Sequence, residues 1–418
     1  MSKIERLAKE KELKAIEPRS RGYTIFLVVF MGLISQMDQY LSLIEGPAVP
    51  LIIQEFGVER SEFAFWQGIF GLLTLSILFL AYISDAFGRK KGIILLILLM
   101  GLPILGILFL SFNLLLFLFF YTLVITGTLS NMWELPIVEE SKPEKRGLYG
   151  GLAYLMGLIP LYALLGTDIA ESWGWRWAYG IMFFYMFGLL VLSFFFKETQ
   201  AWEKNQEEKG HEFLKIKKAI KSLSRKDLKY VALSTIIYTI WTISFKMGAT
   251  WIVEYYTVVV GMSYEEFYPL YLVAGLLTMF GALTAGITMD KLGRNFTLAF
   301  GCIGSAIGFI FLGLTAIPLF MWFVYFFMPV ILTWIMIYFS EIFPTEVRST
   351  AQGISVTGSR LGYVIGPLIA SVLLLIFQDM VGFWIVAGLF MLIPLSALLI
   401  KPYETKGQSL DEIQLKRG

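Results

Sequence analysis

Ala81-Tyr-Ile-Ser-Asp85-Ala-Phe-Gly88-Arg89-Lys90 and Gly286-Ile-Thr-Met-Asp290-Lys-Leu-Gly293-Arg294-Asn295 are one phrase written twice. Each copy closes one apolar stretch and opens the next. A second phrase behaves the same way: Glu140-Ser-Lys-Pro143-Glu-Lys-Arg146 returns as Glu341-Ile-Phe-Pro344-Thr-Glu-Val-Arg348. The offsets are 205 residues for the aspartates and 201 for the prolines. The chain therefore reads as two similar halves, and the apolar stretches between the phrases make them membrane halves.

Composition agrees. Of 418 residues, 57% are hydrophobic and 16% charged, and mean hydropathy is +0.71. Soluble domains carry about 25% charged residues, so a single soluble core is excluded. A membrane span needs ~20 mostly apolar residues. Twelve such stretches are expected, at roughly 22–44, 64–84, 92–111, 114–138, 147–168, 177–197, 228–257, 267–289, 295–315, 317–340, 350–376 and 381–400. The predicted fold is an all-α membrane protein of twelve transmembrane helices in two pseudo-symmetric six-helix halves. Residues 1–21 form an N-terminal segment, 22–197 the first half, 198–227 a charged linker, 228–400 the second half and 401–418 a tail.

Charge placement sets the expected orientation. Of 34 Lys and Arg, 30 fall in segments on the side of the termini; the opposite loops hold only Arg60 and Arg176. The positive-inside rule then puts both termini in the cytoplasm and the protein in the cytoplasmic membrane. Basic loops of this kind need no nucleic-acid partner. The first 21 residues are densely charged and the apolar run after them is too long for a secretory h-region, so no cleaved signal is expected. Cys302 and His211 are the single cysteine and histidine, which argues against a disulfide or a metal site. The dipeptide Gly-Lys is absent, so there is no P-loop. No cofactor and no enzymatic activity are expected. A monomer would be driven by an ion gradient or by the gradient of its own solute.

The repeated G-x-x-x-D-x-x-G-R-K/R loop, the E-x-x-P…R phrase and the 6 + 6 arrangement resemble the major facilitator superfamily over nearly the whole chain. Ala81 and Asn295 are the two departures from the loop pattern. Gly88 and Gly293 permit a tight turn between antiparallel helices. Asp85 and Asp290 can face positive helix N-termini, while Arg89 and Arg294 are expected to pair with acidic neighbours. Glu140 and Glu341 are the expected partners of Arg146, Arg348 and the loop arginines. The resemblance implies that Asp85, Arg89, Asp290 and Arg294 latch the outward-open state, through contacts between the halves that exist only when the inner faces are together. The plain alternative is a set of charged turns that satisfies the membrane surface.

Ionisable residues inside a bilayer cost at least ~2.5–3.5 kcal/mol each and point to function. Asp38, Glu134, Lys246, Glu254 and Arg360 are the candidates. At 1.5 Å per residue, Asp38 lies ~24 Å into span 1, Lys246 ~27 Å into span 7 and Arg360 ~15 Å into span 11. Asp38 and Lys246 are predicted to face each other, as a structural ion pair or as a coupling pair. A carboxylate held away from water can take up and release protons near neutrality. Asp38 and Glu134 are therefore the candidate proton-coupling residues. Glu45 and Glu254 are expected near the opposite membrane surface in structural roles.

Two subfamily resemblances compete. The tail Lys401-Pro402-Tyr-Glu404-Thr405-Lys406-Gly407-Gln-Ser-Leu410 is similar to the P-E-T-K-G-x-S-L ending of sugar porters, with Tyr403 inserted. Their span-7 polar set is missing: its positions hold Phe245, Lys246, Ala249 and Trp251, and the span-5 glutamine falls near Tyr154. Asp38, Pro50 and Arg360-Leu-Gly362-Tyr-Val-Ile-Gly366-Pro367 resemble aromatic-acid and metabolite:proton symporters, with Leu41, Thr357 and Ser359 departing from that pattern. A guanidinium binds carboxylate with two parallel bonds, and Lys246 would add a second charge. The alternative for Arg360 is a helix–helix pair with Glu341 or Asp379. The expected function is alternating-access symport of a small organic anion with a proton. Lys246 and Arg360 would hold the anion, and Tyr154, Trp251 and Trp334 would wall the cavity. Symport of a sugar or neutral metabolite, efflux of amphipathic compounds and a non-transporting sensor are the rivals.

Overall fold

The computed structural model describes residues 19–130, 132–141, 145–209, 223–343, 348–400, 402–408 and 413. Among them ten helices are long and apolar enough to cross a membrane. They are spans 1 (Arg21–Phe56), 3 (Arg89–Phe109), 5 (Leu148–Trp173), 6 (Trp175–Ser193), 7 (Arg225–Val259), 8 (Tyr264–Lys291), 9 (Arg294–Thr315), 10 (Pro318–Ile342), 11 (Ala351–Ile376) and 12 (Val381–Leu399). Spans 2 (60–87) and 4 (114–140) complete the expected twelve, but each is interrupted. Span 2 passes through a 3-10 turn at Leu72–Ser76. Span 4 breaks between Gly127 and Glu134, and Leu129 takes a φ of 51°.

Local chemistry sets the helix ends. Ser20 and Asn113 cap spans 1 and 4 by accepting from Tyr23 and Leu116. Ser224–Asp227 and Ser263–Glu266 form capping boxes at spans 7 and 8. Gly88 and Gly293 sit at φ of 116° and 103°, values that side chains resist, so the repeated phrases turn there. Large apolar side chains such as Phe112, Phe194 and Leu399 face outward, as lipid contact requires. Span 1 runs farther than expected. Pro47 stands in the first turn of its second segment, where no amide donor is needed, and Pro50 follows inside it. Glu45 is thereby carried into the interior and is fully buried.

The two ends of the molecule differ. At the face opposite the termini, the far face, the halves touch. Ser371 donates to the Ser61 carbonyl at 2.7 Å, and Tyr268 to the Leu164 carbonyl at 2.9 Å. Spans 2 and 11 meet backbone to backbone: a Cβ on Gly71 would collide with the Tyr363 carbonyl, and one on Gly68 would lie 3.0 Å from the Val364 oxygen. At the terminal face, the ion pairs of the described residues stay within one half. Within the linker, the sequence of 213–223 suits an amphipathic helix on the inner surface; this stretch lies, except for Leu223, outside the described residues.

Candidate functional site

The break in span 4 organises the first charge cluster. Interrupting a helix strips backbone groups of their partners, and in the interior these must be satisfied. Arg360 reaches from span 11 to donate to the Ile125 carbonyl at 3.3 Å and to the Thr128 carbonyl. Asp38, from span 1, accepts from the Leu129 amide at 2.8 Å and from Ser42 at 3.4 Å. Both charged residues are 1% exposed. Asp38 lies within electrostatic reach of Arg360, and Trp133 packs beside it. The partner of Asp38 is thus the arginine cluster and not Lys246, a correction that follows from the helix break. Arg360 pairs with neither Glu341 nor Asp379.

Lys246 forms the second cluster. It is 3% exposed and makes an ion pair with Glu45, which also accepts from Gln67 and from Thr250 at 2.9 Å. Tyr121 accepts from Lys246 at 3.2 Å. Glu45 and Gln67 belong to the first half and Lys246 and Thr250 to the second, so the pair bridges the halves. Gly46 lets spans 1 and 7 approach, since a Cβ there would lie 2.6 Å from the Ala249 oxygen. Tyr363 lies between the clusters, 5.6 Å from the Lys246 ammonium and 5.4 Å from the Arg360 guanidinium. Nearer the far face, Arg60 pairs across the halves with Glu254 at 2.7 Å.

A central cavity lies between the halves. Leu129, Tyr154, Trp241, Phe245, Tyr325 and Leu332 line it, with Gln39 and Thr278 among its few polar groups. Of the three aromatic residues expected there, Tyr154 lines the cavity, stacked over Trp133. Trp251 and Trp334 are placed elsewhere. Trp251 is wedged between Phe63 and Phe383, sealing the far end of the interface. Trp334 donates to the Arg294 carbonyl at 2.7 Å, because span 10 carries it toward the terminal face. Glu134 begins the second part of span 4 and is half-buried near Gly150.

The repeated phrases build two matching charge clusters. Arg89 pairs with Glu139 at 2.9 Å; Glu198 accepts from the Arg89 and Lys90 amides, and Thr199 donates to Glu139 at 2.6 Å. Arg294 pairs with Glu341 at 2.7 Å; Glu404 accepts from the Arg294 and Asn295 amides, and Thr405 donates to Glu341 at 2.6 Å. Asp290 lies 3.6 Å from Arg294 and is mostly exposed. Glu140 is taken by Arg19 at 2.8 Å, so the first-half partner of the loop arginine is Glu139, one residue from the expected position. The side chains of Asp85, Arg146 and Arg348 lie outside the described residues. Glu198-Thr199 and Glu404-Thr405 form a third repeat, 206 residues apart, legible in the sequence once the last span of each half is compared.

Comparison with known proteins fits this architecture. The family model described as Major Facilitator Superfamily matches residues 28–338. A cis,cis-muconate transport protein of Acinetobacter baylyi is 26% identical over 237 residues, 51% of this chain and 53% of that protein. The match thus spans about half of that relative's length. The putative metabolite transport protein YwtG of Bacillus subtilis is 26% identical over 397 residues, 79% of this chain and 81% of that protein. The glucose transporter GlcP of Staphylococcus epidermidis is 25% identical over 339 residues, 70% and 74% of the two chains. Among solved structures, the proton:xylose symporter XylE bound to 6-bromo-6-deoxy-D-glucose superposes with a TM-score of 0.71 at 16% identity, covering 96% of this chain and all of that one. With the family model spanning well over half the sequence and two six-helix halves in place, this chain belongs to the major facilitator superfamily, as a multi-pass membrane transporter of small metabolites and not an enzyme.

Proposed function

We propose that the cargo is a small organic anion, moved with a proton through the cytoplasmic membrane by a monomer whose termini face the cytoplasm. One observation carries this reading. Of the three buried cations among the described residues, Lys246 and Arg294 are paired with carboxylates, whereas Arg360 has no carboxylate within 4 Å and is held by two backbone carbonyls. Arg360 stands behind the cavity wall, bonded to Thr128 next to the lining Leu129; a carboxylate that reached it would bring an opposite charge and a bidentate geometry that neutral carbonyls lack. Asp38 is the proton site of the same cluster: protonated, it ceases to compete for Arg360, and cargo and proton are favoured together. The relative named for cis,cis-muconate transport supports a carboxylate cargo. Lys246 is occupied by Glu45 and serves the contact between halves, so the anion is assigned to Arg360. The excess of basic residues at the terminal face supports the orientation.

A hexose is the second reading, favoured by the Glu404-Thr405-Lys406-Gly407 tail and the glucose-transporting relative. The mostly apolar cavity wall gives a sugar few hydroxyl partners. Proteoliposome uptake under an imposed pH gradient separates the two. Carboxylates are expected to compete for uptake and Arg360→Gln to remove it, while Asp38→Asn abolishes gradient-driven accumulation but retains exchange. Hexose uptake that survives Arg360→Gln would refute the anion reading.

A further inference from the structure

The break in span 4 separates the two partners of one helical hydrogen bond. In a continuous α-helix the amide of each residue donates to the carbonyl four positions earlier, so Leu129 would donate to Ile125. Here Leu129 donates to Asp38 at 2.8 Å instead, and the Ile125 carbonyl accepts from Arg360 at 3.3 Å and from the Thr128 hydroxyl at 3.0 Å. Thr128 is extended, with φ of −71° and ψ of 158°, and Leu129 stands at φ of 51°. That left-handed conformation is uncommon outside glycine, because the Cβ crowds the backbone. A bond to a carboxylate is roughly twice as strong as one between neutral groups, and it holds Leu129 there. Asp38 and Arg360 thus keep apart two groups that would otherwise bind each other.

Leu129 also stands in the way to Arg360. It lines the central cavity, while Thr128, the residue before it, gives its carbonyl to Arg360, and both Thr128 and Arg360 are buried. A solute in the cavity meets Leu129 first. Asp38, bonded by Ser42 from its own span, is faced by Arg360 and Tyr363 from span 11, Tyr154 from span 5, Tyr238 from span 7 and Trp133 from span 4; Glu134 faces the same Tyr154. Arg360 is the fixed charge of this set. A proton on Asp38 turns the carboxylate into a neutral acid, and its hold on the Leu129 amide weakens. An anion that then takes the Arg360 guanidinium frees the Ile125 and Thr128 carbonyls as well.

We propose that Leu129 couples the proton to the cargo, because the turn from Ile125 to Leu129 has two states. It is broken while Asp38 and Arg360 hold its two ends. It closes its own hydrogen bond when a proton takes Asp38 and a carboxylate takes Arg360. Closing returns Leu129 to the right-handed helical region and withdraws it from the cavity wall, so the proton opens the path that the anion follows. Both ligands favour the same state of one segment, which is what makes their binding cooperative. This rests on the proton and anion sites of the reading above and adds the element that joins them.

The test is the distance between spin labels on the two parts of span 4, at Leu116→Cys and Val138→Cys, both exposed positions, in the full-length protein with Cys302→Ser. No cargo is added. The otherwise unaltered protein is expected to show one distance at high pH and a second that grows between about pH 9 and about pH 5, a range that covers buried carboxyls. Asp38→Asn should hold the second distance at every pH, and Arg360→Gln, which frees the Ile125 carbonyl, should raise its share. Leu129→Gly should act the other way, since glycine removes the cost of the left-handed conformation and weakens the helix. The ratio of second to first distance should then fall about tenfold. A permanent break gives one distance throughout. One unchanging distance across that pH range, a distance in Asp38→Asn that still follows pH, or a ratio that rises in Leu129→Gly would each overturn the switch. The unaltered background and Leu129→Gly decide the matter where Asp38→Asn does not fold. With no cargo present, these outcomes leave the anion reading to the uptake measurements above.

Discussion

The far face and the terminal face use the same chemistry for different ends. At the far face, ion pairs cross from one half to the other: Lys246 to Glu45 and Arg60 to Glu254. At the terminal face, among the described residues, Arg89 with Glu139 and Arg294 with Glu341 stay within their own halves. A pair that crosses the halves must break whenever they separate, so it biases the transport cycle. A pair within a half need not break when the halves separate, so in this state it holds that half together. Location relative to the dividing surface decides the role of each pair, more than its geometry does.

Lys246→Met is the strongest way to break this distinction. Removing one partner of a buried pair costs about 3–5 kcal/mol, because the remaining charge is left uncompensated. Here the protein has an escape, since parting the halves at the far face lets water reach Glu45. The variant is expected to populate the state open at that face, read as raised labelling of cysteines placed there in a Cys302→Ser background. Glu45→Gln with Lys246→Met should restore the closed state, the two changes being strongly non-additive. Unchanged labelling in the single variant would show that the pair does not hold the face shut.

Arg294→Gln sharpens the contrast from the other side. Arg294 is 7% exposed and also donates to the Met289 carbonyl at 2.8 Å. Its loss is expected to cost about 1.5–3 kcal/mol, as for hydrogen bonds to charged groups. The cost should appear as a lower melting temperature with no change in far-face labelling. Arg60→Gln should have the smallest effect. The Arg60 side chain is 23% exposed although that of Glu254 is 3% exposed, so water can take over part of the pairing; the change should cost less than the loss of Lys246 and shrink in high salt. A titration of far-face labelling against salt, wild type beside variant, measures it.

The sequence carried the architecture because repeats and apolar stretches are local signals. Twelve spans, two halves and the glycine turns at Gly88 and Gly293 were all legible. The buried charges were legible as positions and not as pairs. Lys246 was matched to Asp38 by depth along straight helices, but the real helices are not straight. Span 1 continues past Pro47 and Pro50, which carries Glu45 inward to Lys246. Span 4 is broken, and its freed backbone groups claim Asp38 and Arg360. Span 4 was read as continuous, and nothing local said which distant side chains would satisfy a break in it. Trp334 and Trp251 were judged by residue type, and only three-dimensional packing removes them from the cavity wall.

Where span 2 meets span 11, Gly71 lies backbone against backbone on Tyr363, and Gly68 receives the Leu368 side chain and the Val364 carbonyl. Side chains elsewhere at the far face interlock, as Trp251 does between Phe63 and Phe383, and must be drawn out like teeth from a gear. The glycine strip is a plain bearing. It gains contact area when shut, yet the glycines themselves have no rotamers to reset when it slides. A transporter that must shut and release this surface in every cycle thereby keeps part of its seal free of friction.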